Sequence, residues 1–461
     1  MSKIMVLVAV VVGACAALAA SGFRGRQTVV GIDLGTTYSV IGINEAGKII
    51  IIPGTDGSSL LPSVVSFLEN GRVAVGQDAV DLLERHPAST IYGAKRFIGR
   101  EFADSAVSKE AAEHQFRLVQ TDRDLSEAWF QIRRSGHPPA VSPQAVGSHV
   151  VGQLLQRAAK YLGHSQVSKV VIAVPAKFNA RQKAATAEAF RLAGLQVIRT
   201  LEEPTAAALA FGLHRKPNVN HILVYDLGGG TLDVSLLFVN DGSVEVLGSD
   251  GDNNLGGSDF DQCVTHVLER KLEGSIVPLE DAERAISCSF AAPTCAIHNL
   301  YPLSEGLRRL LTDGQTASLE CMTLSGEARR STLRPSNIET GTPSFGLEVP
   351  NAEARNQDTS NSDGDKRGHC GLWKPFKLDL TRAEYEHSCA SLFDRGVAPV
   401  DRLLKFLDLT IEEIDEVVMV GGMTRTPRVR NLLKSHLGVD RLNVDIDPDV
   451  VVAYGAATIA H

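Results

Sequence analysis

Two segments of the sequence repeat one pattern. Residues 29–40 read VVGIDLGTTYSV, and residues 222–235 read ILVYDLGGGTLDVS. Each passes from apolar, β-branched residues through Asp-Leu-Gly into a short stretch of glycine and threonine, and then into a second apolar run. This pattern predicts a β-hairpin, in which glycine permits a tight turn or the close approach of another group. The repeat therefore predicts two related lobes that face each other, each presenting one hairpin.

The glycine-rich turns are candidate anion sites. Consecutive backbone N–H groups in such a turn form a concave nest, and Thr36, Thr37 and Thr231 add hydroxyl donors. One turn of this kind would be interpreted as an ordinary connection, but two in matching context favour phosphate binding. The net charge of −8 argues against nucleic acid as a partner, because nucleic-acid-binding domains carry a basic surface.

Asp33 and Asp226 end the first strand of each hairpin, beside the predicted phosphate sites. Two like charges ~4 Å apart cost roughly 4 kcal/mol at an effective dielectric constant of about 20, so the pair requires a cation. Mg²⁺ with oxygen ligands and retained water fits this requirement. Either aspartate alone would be interpreted as a turn cap, but together they predict a bound Mg-nucleotide. The sequence contains no Walker A, G-x-S-x-G or H-E-x-x-H motif, which argues against a P-loop ATPase and the common ester and peptide hydrolases.

The remaining patterns predict a mixed α/β protein. The predicted elements are short strands at 64–67 and 73–76, helices over 144–162 and 179–195, a buried strand over 169–176, a strand, turn and helix over 196–213, and a strand, double glycine and helix over 413–438. The last helix is predicted to begin with Asp447 as its N-cap and Pro448 in its first position. Gly421 and Gly422 would let a base or ribose lie against the backbone, although strand-to-helix turns often carry glycine for structural reasons.

Two stretches lack this order. Residues 323–372 are rich in polar residues and predict an insertion. Residues 285–303 interrupt an otherwise helical pattern, and both a real loop and a gene-model artefact fit. The cysteines beyond the N-terminus all lie in the C-terminal half, without a metal-binding spacing, so unpaired cysteines and disulfides both remain open.

The N-terminus has the pattern of a secretory signal. Lys3 precedes the apolar stretch Ile4–Ala20, which ends in small residues. We expect residues 1–20 to be a signal peptide or an uncleaved anchor, so that any membrane association is through this segment. The C-terminal ATIAH is not a retrieval signal of the KDEL type.

From residue 28 to its C-terminus, apart from the two irregular stretches, the chain resembles the seventy-kilodalton heat-shock chaperone family. The motifs that carry the resemblance are, in chain order, GIDLGTTYSV, AKRFIGR, VPAKFNARQ, EEPTAAALAFGL, DLGGGTLDVS, NLGGSDFD, EIDEVVMVGGMTRTPRVR and DPDVVVAYGAA. As a set they are specific. Their combination with a signal-like N-terminus is similar to a microsomal family member that consists of the ATPase core, which implies the endoplasmic reticulum lumen or microsome, or secretion.

The resemblance implies an α/β, two-lobed, actin-like ATPase fold, a duplicated ribonuclease H-like fold with a nucleotide cleft between the lobes. The implied nucleotide-binding lobes are residues 28–215 and 221–446, followed by a terminal helix over 447–461 that packs back on the core. The implied ligands are ATP or ADP and Mg²⁺, with K⁺ as a further cation. Nucleotide-exchange factors or other chaperone-system proteins are the implied partners.

The resemblance also implies roles for individual residues. Lys95 would lie by the terminal phosphate and the attacking water, with Glu203, Asp233 and Thr231 as further catalytic candidates. Asp33 and Asp226 would hold Mg²⁺ through water. The implied nucleotide contacts are Gly35, Thr36, Thr37, Tyr38, Gly228, Gly229, Gly230, Gly256, Gly257, Glu305, Arg308, Arg309, Thr312, Gly421, Gly422, Arg425 and Asp449.

The chain departs from the family pattern in several places. Lys177 replaces the usual Tyr, Glu202 an Asn, and Met423 a small polar residue, and none of these removes a proposed phosphate or metal residue. The family's peptide-binding domain would follow the terminal helix, whereas the sequence ends at His461. We therefore expect no peptide client site in this chain.

The predicted function is Mg-dependent ATP binding with slow, peptide-independent hydrolysis in the secretory pathway. One alternative is a nucleotide-gated interaction module with little turnover. Another is a sugar-kinase-like phosphotransferase, against which AKRFIGR and EEPTAAA argue.

Overall fold

The computed structural model describes most of the chain, namely residues 5, 7–8, 10–14, 28–83, 85–112, 114–121, 124–132, 140–164, 167–277, 292–324 and 373–460. Two compact units are present, Met1–Gly257 with Arg395–His461, and Ser258–Asp394. Among the described residues, no helix combines the length and the apolar character that a bilayer span requires. The predicted signal or anchor at 1–20 lies for the most part outside the described residues.

The strands are β1 (Thr28–Leu34), β2 (Tyr38–Glu45), β3 (Lys48–Ile51), β4 (Leu61–Pro62), β5 (Val65–Phe67), β6 (Val73–Val75), β7 (Thr90–Ile91), β8 (Leu118–Thr121), β9 (Asp124–Gln131), β10 (Ala140–Val141), β11 (Val167–Val174), β12 (Gln196–Glu202), β13 (His221–Leu227), β14 (Leu232–Asn240), β15 (Ser243–Asp252), β16 (Thr316–Leu324), β17 (Trp373–Thr381) and β18 (Glu416–Val420). The helices are α1 (Gln77–Val80), α2 (Ser105–Ala111), α3 (Pro143–Leu162), α4 (Ala180–Leu192), α5 (Glu203–Ala210), α6 (Gly257–Lys271), α7 (Ile297–Asp313), α8 (Arg382–Ser388), α9 (Ala390–Arg395), α10 (Ala398–Leu407), α11 (Pro427–Leu437) and α12 (Val451–Thr458).

Both predicted hairpins form in the first unit, and the four strands β11-β1-β2-β3 have the same arrangement as the four strands β18-β13-β14-β15. The first sheet has the order β12-β11-β1-β2-β3, with β4 paired to β2, and the second has the order β15-β14-β13-β18. In each sheet the first hairpin strand pairs antiparallel with its hairpin partner and parallel with a later strand, β11 in one and β18 in the other. The internal repeat seen in the sequence is therefore a structural repeat, and the fold is the predicted α/β actin-like type.

The elements begin and end largely where the sequence predicts. Helix α4 starts after Asn179, whose side chain forms a capping box with Gln182, and α3 starts after Ser142, whose side chain accepts a hydrogen bond from the Ala145 N–H. The last helix differs from the prediction. Residues 448–450 form a turn, and α12 begins only at Val451. The Asp447 carboxylate accepts a hydrogen bond from the Asp449 N–H within this turn, so it caps the turn instead of the helix.

The core of the first unit explains how α12 is held. Val451 and Val452 pack with Ala206–Ala208 of α5 and with apolar residues of β13. On the other sheet, Ala456 packs against Val171 of β11. Helix α12 thus contacts residues of both sheets, and residues 30–32 of β1 and 170–174 of β11 beneath it are buried.

Among the described residues of the second unit, two disulfides link separate segments of the chain. Cys263 of α6 bonds Cys389, and Cys295 bonds Cys321 of β16. The described part of the irregular 285–303 stretch belongs to this unit, because Cys295 also hydrogen-bonds β16 and α7 already begins at Ile297. The predicted insertion begins inside β16, since Thr323 and Leu324 are strand residues, and its residues 325–372 lie outside the described residues, as do 285–291.

Candidate functional site

The two glycine-rich turns approach each other directly. The first, Gly35–Thr37, joins β1 to β2, and the second, Gly228–Thr231, is closed by a 3.1 Å hydrogen bond from the Gly228 N–H to the Thr231 carbonyl. A Cβ atom added to Gly229 would lie 2.4 Å from the Thr37 hydroxyl oxygen. The absence of a side chain at Gly229 therefore lets the two turns meet.

A second close approach supports the Gly228–Thr231 turn. A Cβ on Gly256 would lie 2.3 Å from the Gly230 backbone, and the Gly257 N–H donates to the Gly228 carbonyl at 3.0 Å. The first turn is supported by Ser63, whose hydroxyl donates to the Gly35 carbonyl at 2.8 Å. The sequence did not single out Ser63, because it lies far along the chain from the turn.

Lys95 and Glu203 form a short ion pair inside this region. The Lys95 Nζ lies 2.6 Å from the Glu203 Oε1, and the side chains are 9% and 16% exposed. Lys95 is held by a 3-10 turn over Ala94–Arg96, and Glu203 is the first residue of α5. Burial lowers the pKa of Lys95, but the carboxylates of Glu203, Asp33 and Asp226 outweigh that effect, so its pKa is raised. Lys95 is therefore a stable cation.

The two predicted metal residues have unusual electrostatics. Desolvation raises the pKa of Asp33 to about 7, although Lys95 lowers it. Desolvation and nearby carboxylates raise the pKa of Asp226 well above its usual range, and those carboxylates belong to Glu203, Asp233 and Asp33. The buried Asp33 Oδ1 accepts no hydrogen bond from the described residues. Both carboxylates are costly to ionise without a cation.

These properties fit a Mg²⁺ ion held mainly by water and phosphate. Among the described residues, no group of three or more His, Cys, Asp or Glu side chains forms a metal cluster. Mg²⁺ does not need one, because it keeps several waters and usually takes one or two carboxylates together with phosphate oxygens. Asp33, with its unpaired oxygen, and Asp226 supply that number.

Lys177, one of the departures from the family pattern, also lies in this region. Its Nζ is 3.0 Å from the Asp233 Oδ1, and Asp233 lies directly opposite Asp226 in the β13–β14 pair. Lys177, Asp233, Glu203 and Asp226 line one pocket, together with Pro175, Ala176, Pro204, Val224, Ser235, Ser249 and Val420. The sequence could have indicated Lys177, because the ends of the parallel strands β1 and β11 meet at one edge of the sheet.

The double glycine Gly421–Gly422 contacts the turn that precedes α12. The Gly421 N–H donates to the Pro448 carbonyl at 3.0 Å, and a Cβ on Gly422 would lie 2.8 Å from the Asp449 Oδ1. Arg425 binds the Asp449 Oδ2 at 3.0 Å and also pairs with Asp447. These residues thus form one cluster, and their contact with a nucleoside stays a prediction.

Four of the predicted nucleotide contacts, Glu305, Arg308, Arg309 and Thr312, lie on α7 in the second unit. Arg308 is buried there and binds the Asp261 Oδ1 at 2.5 Å, while Arg309 pairs with Glu305 at 2.5 Å on the exposed face. The Thr312 hydroxyl donates to the Arg308 carbonyl at 3.3 Å. The buried ion pair gives Arg308 a structural role, and the nucleoside contacts of these four residues stay predictions.

Comparison with known proteins identifies the family to which the chain belongs. A family model described as "Hsp70 protein" matches residues 29–286 and 369–461. Heat shock 70 kDa protein 13 of Pongo abelii is 36% identical over 434 residues, covering 93% of this chain and 87% of that protein, and the Homo sapiens protein of the same name gives the same values. Chaperone protein DnaK of Prochlorococcus marinus is 37% identical over 430 residues, covering 93% of this chain and 58% of DnaK. The chain belongs to the Hsp70 family.

Membership of the Hsp70 family confirms the resemblance from which the actin-like fold and a general ATPase activity were predicted. This Hsp70 chain is a nucleotide-binding, chaperone-like ATPase core, and Hsp70 ATPases use ATP and ADP with Mg²⁺. The chain spans 53% of a second longer relative, the stromal 70 kDa heat shock-related protein of Pisum sativum. The roles of individual residues, the rate and the compartment are taken up below as proposals.

Proposed function

We propose that this Hsp70 chain binds Mg-ATP at its two facing glycine turns and hydrolyses it slowly to ADP and phosphate. The observation that supports the proposal most is the meeting of the two turns at Thr37 and Gly229, beside two aspartates whose pKa values are raised. Backbone N–H groups of the turns bind the phosphates. Asp33 and Asp226 would hold Mg²⁺ through water, and the ion would supply positive charge that offsets the charge of the phosphates.

Lys95 is the residue best placed to stabilise the transition state. Charge increases on the phosphoryl oxygens as water attacks in line, and a fixed ammonium in a poorly solvated site stabilises that charge. Glu203 orients Lys95 through the 2.6 Å ion pair.

Phosphate release by the purified chain tests this proposal. We expect wild type to release phosphate from Mg-ATP, and Lys95→Ala to bind Mg-ATP but release phosphate at least about 100-fold more slowly, as expected when a transition-state donor is removed. Tight binding without turnover in wild type would favour the nucleotide-gated module. Phosphate on a small-molecule acceptor would favour the phosphotransferase. Unfolded peptide is added in a parallel reaction, where we expect the same rate.

We also propose that the protein acts in the secretory pathway. The Cys263–Cys389 and Cys295–Cys321 disulfides support this compartment, because disulfides persist in oxidising environments and are rare in the cytosol. The signal-like residues 1–20 point the same way. Peptide mapping of protein from cells, without reduction, should recover both bonds. Free thiols at these four cysteines would contradict the proposal.

A further inference from the structure

Lys177 follows the C-terminal end of β11, in the short connection to α4. Its ammonium is 3.0 Å from the Asp233 Oδ1, and the side chains of Lys177 and Asp233 are 38% and 37% exposed. The partly exposed pair lines the pocket that also contains Glu203 and Asp226. It is more exposed than the Lys95–Glu203 pair.

The neighbouring strand leaves a defined place for this ammonium. A Cβ on Gly251 of β15 would lie 2.7 Å from the Lys177 Nζ, so a side chain there would displace it. Asp233 is the residue in the described chain that hydrogen-bonds the ammonium. Since a lysine ammonium has three N–H donors, two remain for an anion in the pocket.

The carboxylates of the pocket indicate a function for the Lys177 ammonium. Asp233 lies opposite Asp226, and its negative charge contributes to the raised pKa of Asp226. A phosphate entering beside two carboxylates would be repelled unless a cation were present. Like Lys95, Lys177 lies outside the second hairpin, but its ion pair with Asp233 neutralises that carboxylate and places N–H donors on the second-hairpin side of the pocket.

We propose that Lys177 binds the terminal phosphate of ATP and that Asp233 positions it for this contact. The inference rests on the proposed function, because it assigns a residue to the same phosphate site. The proposal gives a function to Lys177, one of the positions at which the chain departs from the family pattern. It also assigns Asp233 to orienting the Lys177 ammonium.

The chain offers a matched control. Lys183 of α4 pairs with Glu202 at 2.9 Å, and these side chains are 36% and 32% exposed, nearly the same as in the Lys177 pair. Neither Lys183 nor Glu202 lines the pocket. Lys183→Gln therefore removes the same charge and a similar ion pair without removing a donor from the site.

Calorimetric titration with Mg-ATP and with Mg-ADP tests the assignment, because only ATP has the terminal phosphate. Loss of one charged, partly exposed hydrogen bond should weaken Mg-ATP binding about tenfold in Lys177→Gln and change Mg-ADP binding less than about twofold. Lys177→Arg should retain most of the affinity. Lys183→Gln should change neither constant. Inorganic phosphate, titrated into the Mg-ADP complex, should also bind about tenfold more weakly to Lys177→Gln.

Equal losses for ATP and ADP, or no loss for either, would overturn the role of Lys177 and leave the ATPase proposal intact. An effect of Lys183→Gln equal to that of Lys177→Gln would overturn it too, since general charge would then be the cause. Wild type that binds neither nucleotide would overturn both proposals. Thermal melting of each variant verifies that it is folded, and Lys177→Ala provides the same test if Lys177→Gln is not folded.

Discussion

The two ammonium–carboxylate pairs near Asp226 differ in burial, and this difference separates their tasks. Lys95 and Glu203 are 9% and 16% exposed at 2.6 Å, whereas Lys177 and Asp233 are 38% and 37% exposed at 3.0 Å. Removing one partner of a buried pair leaves an uncompensated charge, but an exposed pair contributes little to stability. The first pair is therefore part of the fold as well as the chemistry, and the second serves the ligand.

The largest effect on stability is expected when only one partner of the buried Lys95–Glu203 pair is removed. Lys95→Met should lower the free energy of unfolding by about 3 kcal/mol, because Glu203 then remains buried without its cation. The double variant Lys95→Met/Glu203→Gln should recover most of that stability and yet hydrolyse no ATP. Urea unfolding and phosphate release measure the two properties. A Lys95→Met variant as stable as wild type would contradict the structural role of the pair.

Asp33, beside the buried pair, should show opposite effects on stability and binding. Its pKa is about 7 in the folded protein, against an ordinary value of 3.8, so its ionisation costs the folded state. That cost is absent below pH ~4 and fully present above pH ~7, which means that it lowers stability as the pH rises between these values. Asp33→Asn should raise the free energy of unfolding of the nucleotide-free protein on the order of 1–3 kcal/mol at pH 8 and leave it unchanged near pH 4.

Denaturant unfolding of wild type and Asp33→Asn at the two pH values measures this effect. The same variant should bind Mg-ATP more weakly, because a metal carboxylate is lost. A variant that is less stable than wild type at pH 8 would show that ionised Asp33 is stabilised by other groups.

The contact between the two turns should have an intermediate effect. Gly229→Ala places a methyl group 2.4 Å from the Thr37 Oγ1, so the hydroxyl must rotate or the turns must separate. Overpacking of this kind costs about 1–3 kcal/mol, and we expect Mg-ATP affinity to fall about tenfold or more. In a Thr37→Ala background the same substitution should cost less. Equal costs in both backgrounds would show that the turns do not meet at these residues.

Gly152→Ala is the control for Gly229→Ala. An added Cβ at Gly152, in the interior of α3, has no atom within 4 Å. The substitution should leave nucleotide affinity unchanged and raise helix stability by up to about 1 kcal/mol.

The smallest effect is expected for the stability of the exposed pair. Lys177→Gln and Asp233→Asn should each change the free energy of unfolding by less than about 1 kcal/mol, because solvent screens the pair. Urea unfolding measures it. A loss near that of Lys95→Met would remove the distinction between the two pairs.

The sequence predicted the features that depend on local pattern. The hairpins around Asp33 and Asp226, the capping of α4 by Asn179 and the strand that precedes Pro175 all follow from residue type and spacing. The family resemblance added the residues whose roles depend on tertiary structure, such as Lys95.

Features that depend on distant partners could not be predicted. The Lys177–Asp233 pair joins residues 56 positions apart, and the Cys263–Cys389 bond joins residues 126 apart. Neither pairing has a local pattern, because each depends on how separate strands and helices pack. The start of α12 was predicted too early, since the proline and aspartate at 447–448 suit a turn as well as a helix start.

The central claim is that the two glycine turns and their aspartates form one Mg-nucleotide site. Titration of ATP into wild type, Asp33→Asn and Asp226→Asn, with Mg²⁺ and with a chelator, tests it most directly. We predict tight binding by wild type only with Mg²⁺, and a loss of that Mg²⁺-dependent gain in both variants. Equal affinity with and without Mg²⁺ in wild type, or unchanged Mg²⁺-dependent binding in either variant, would contradict the claim.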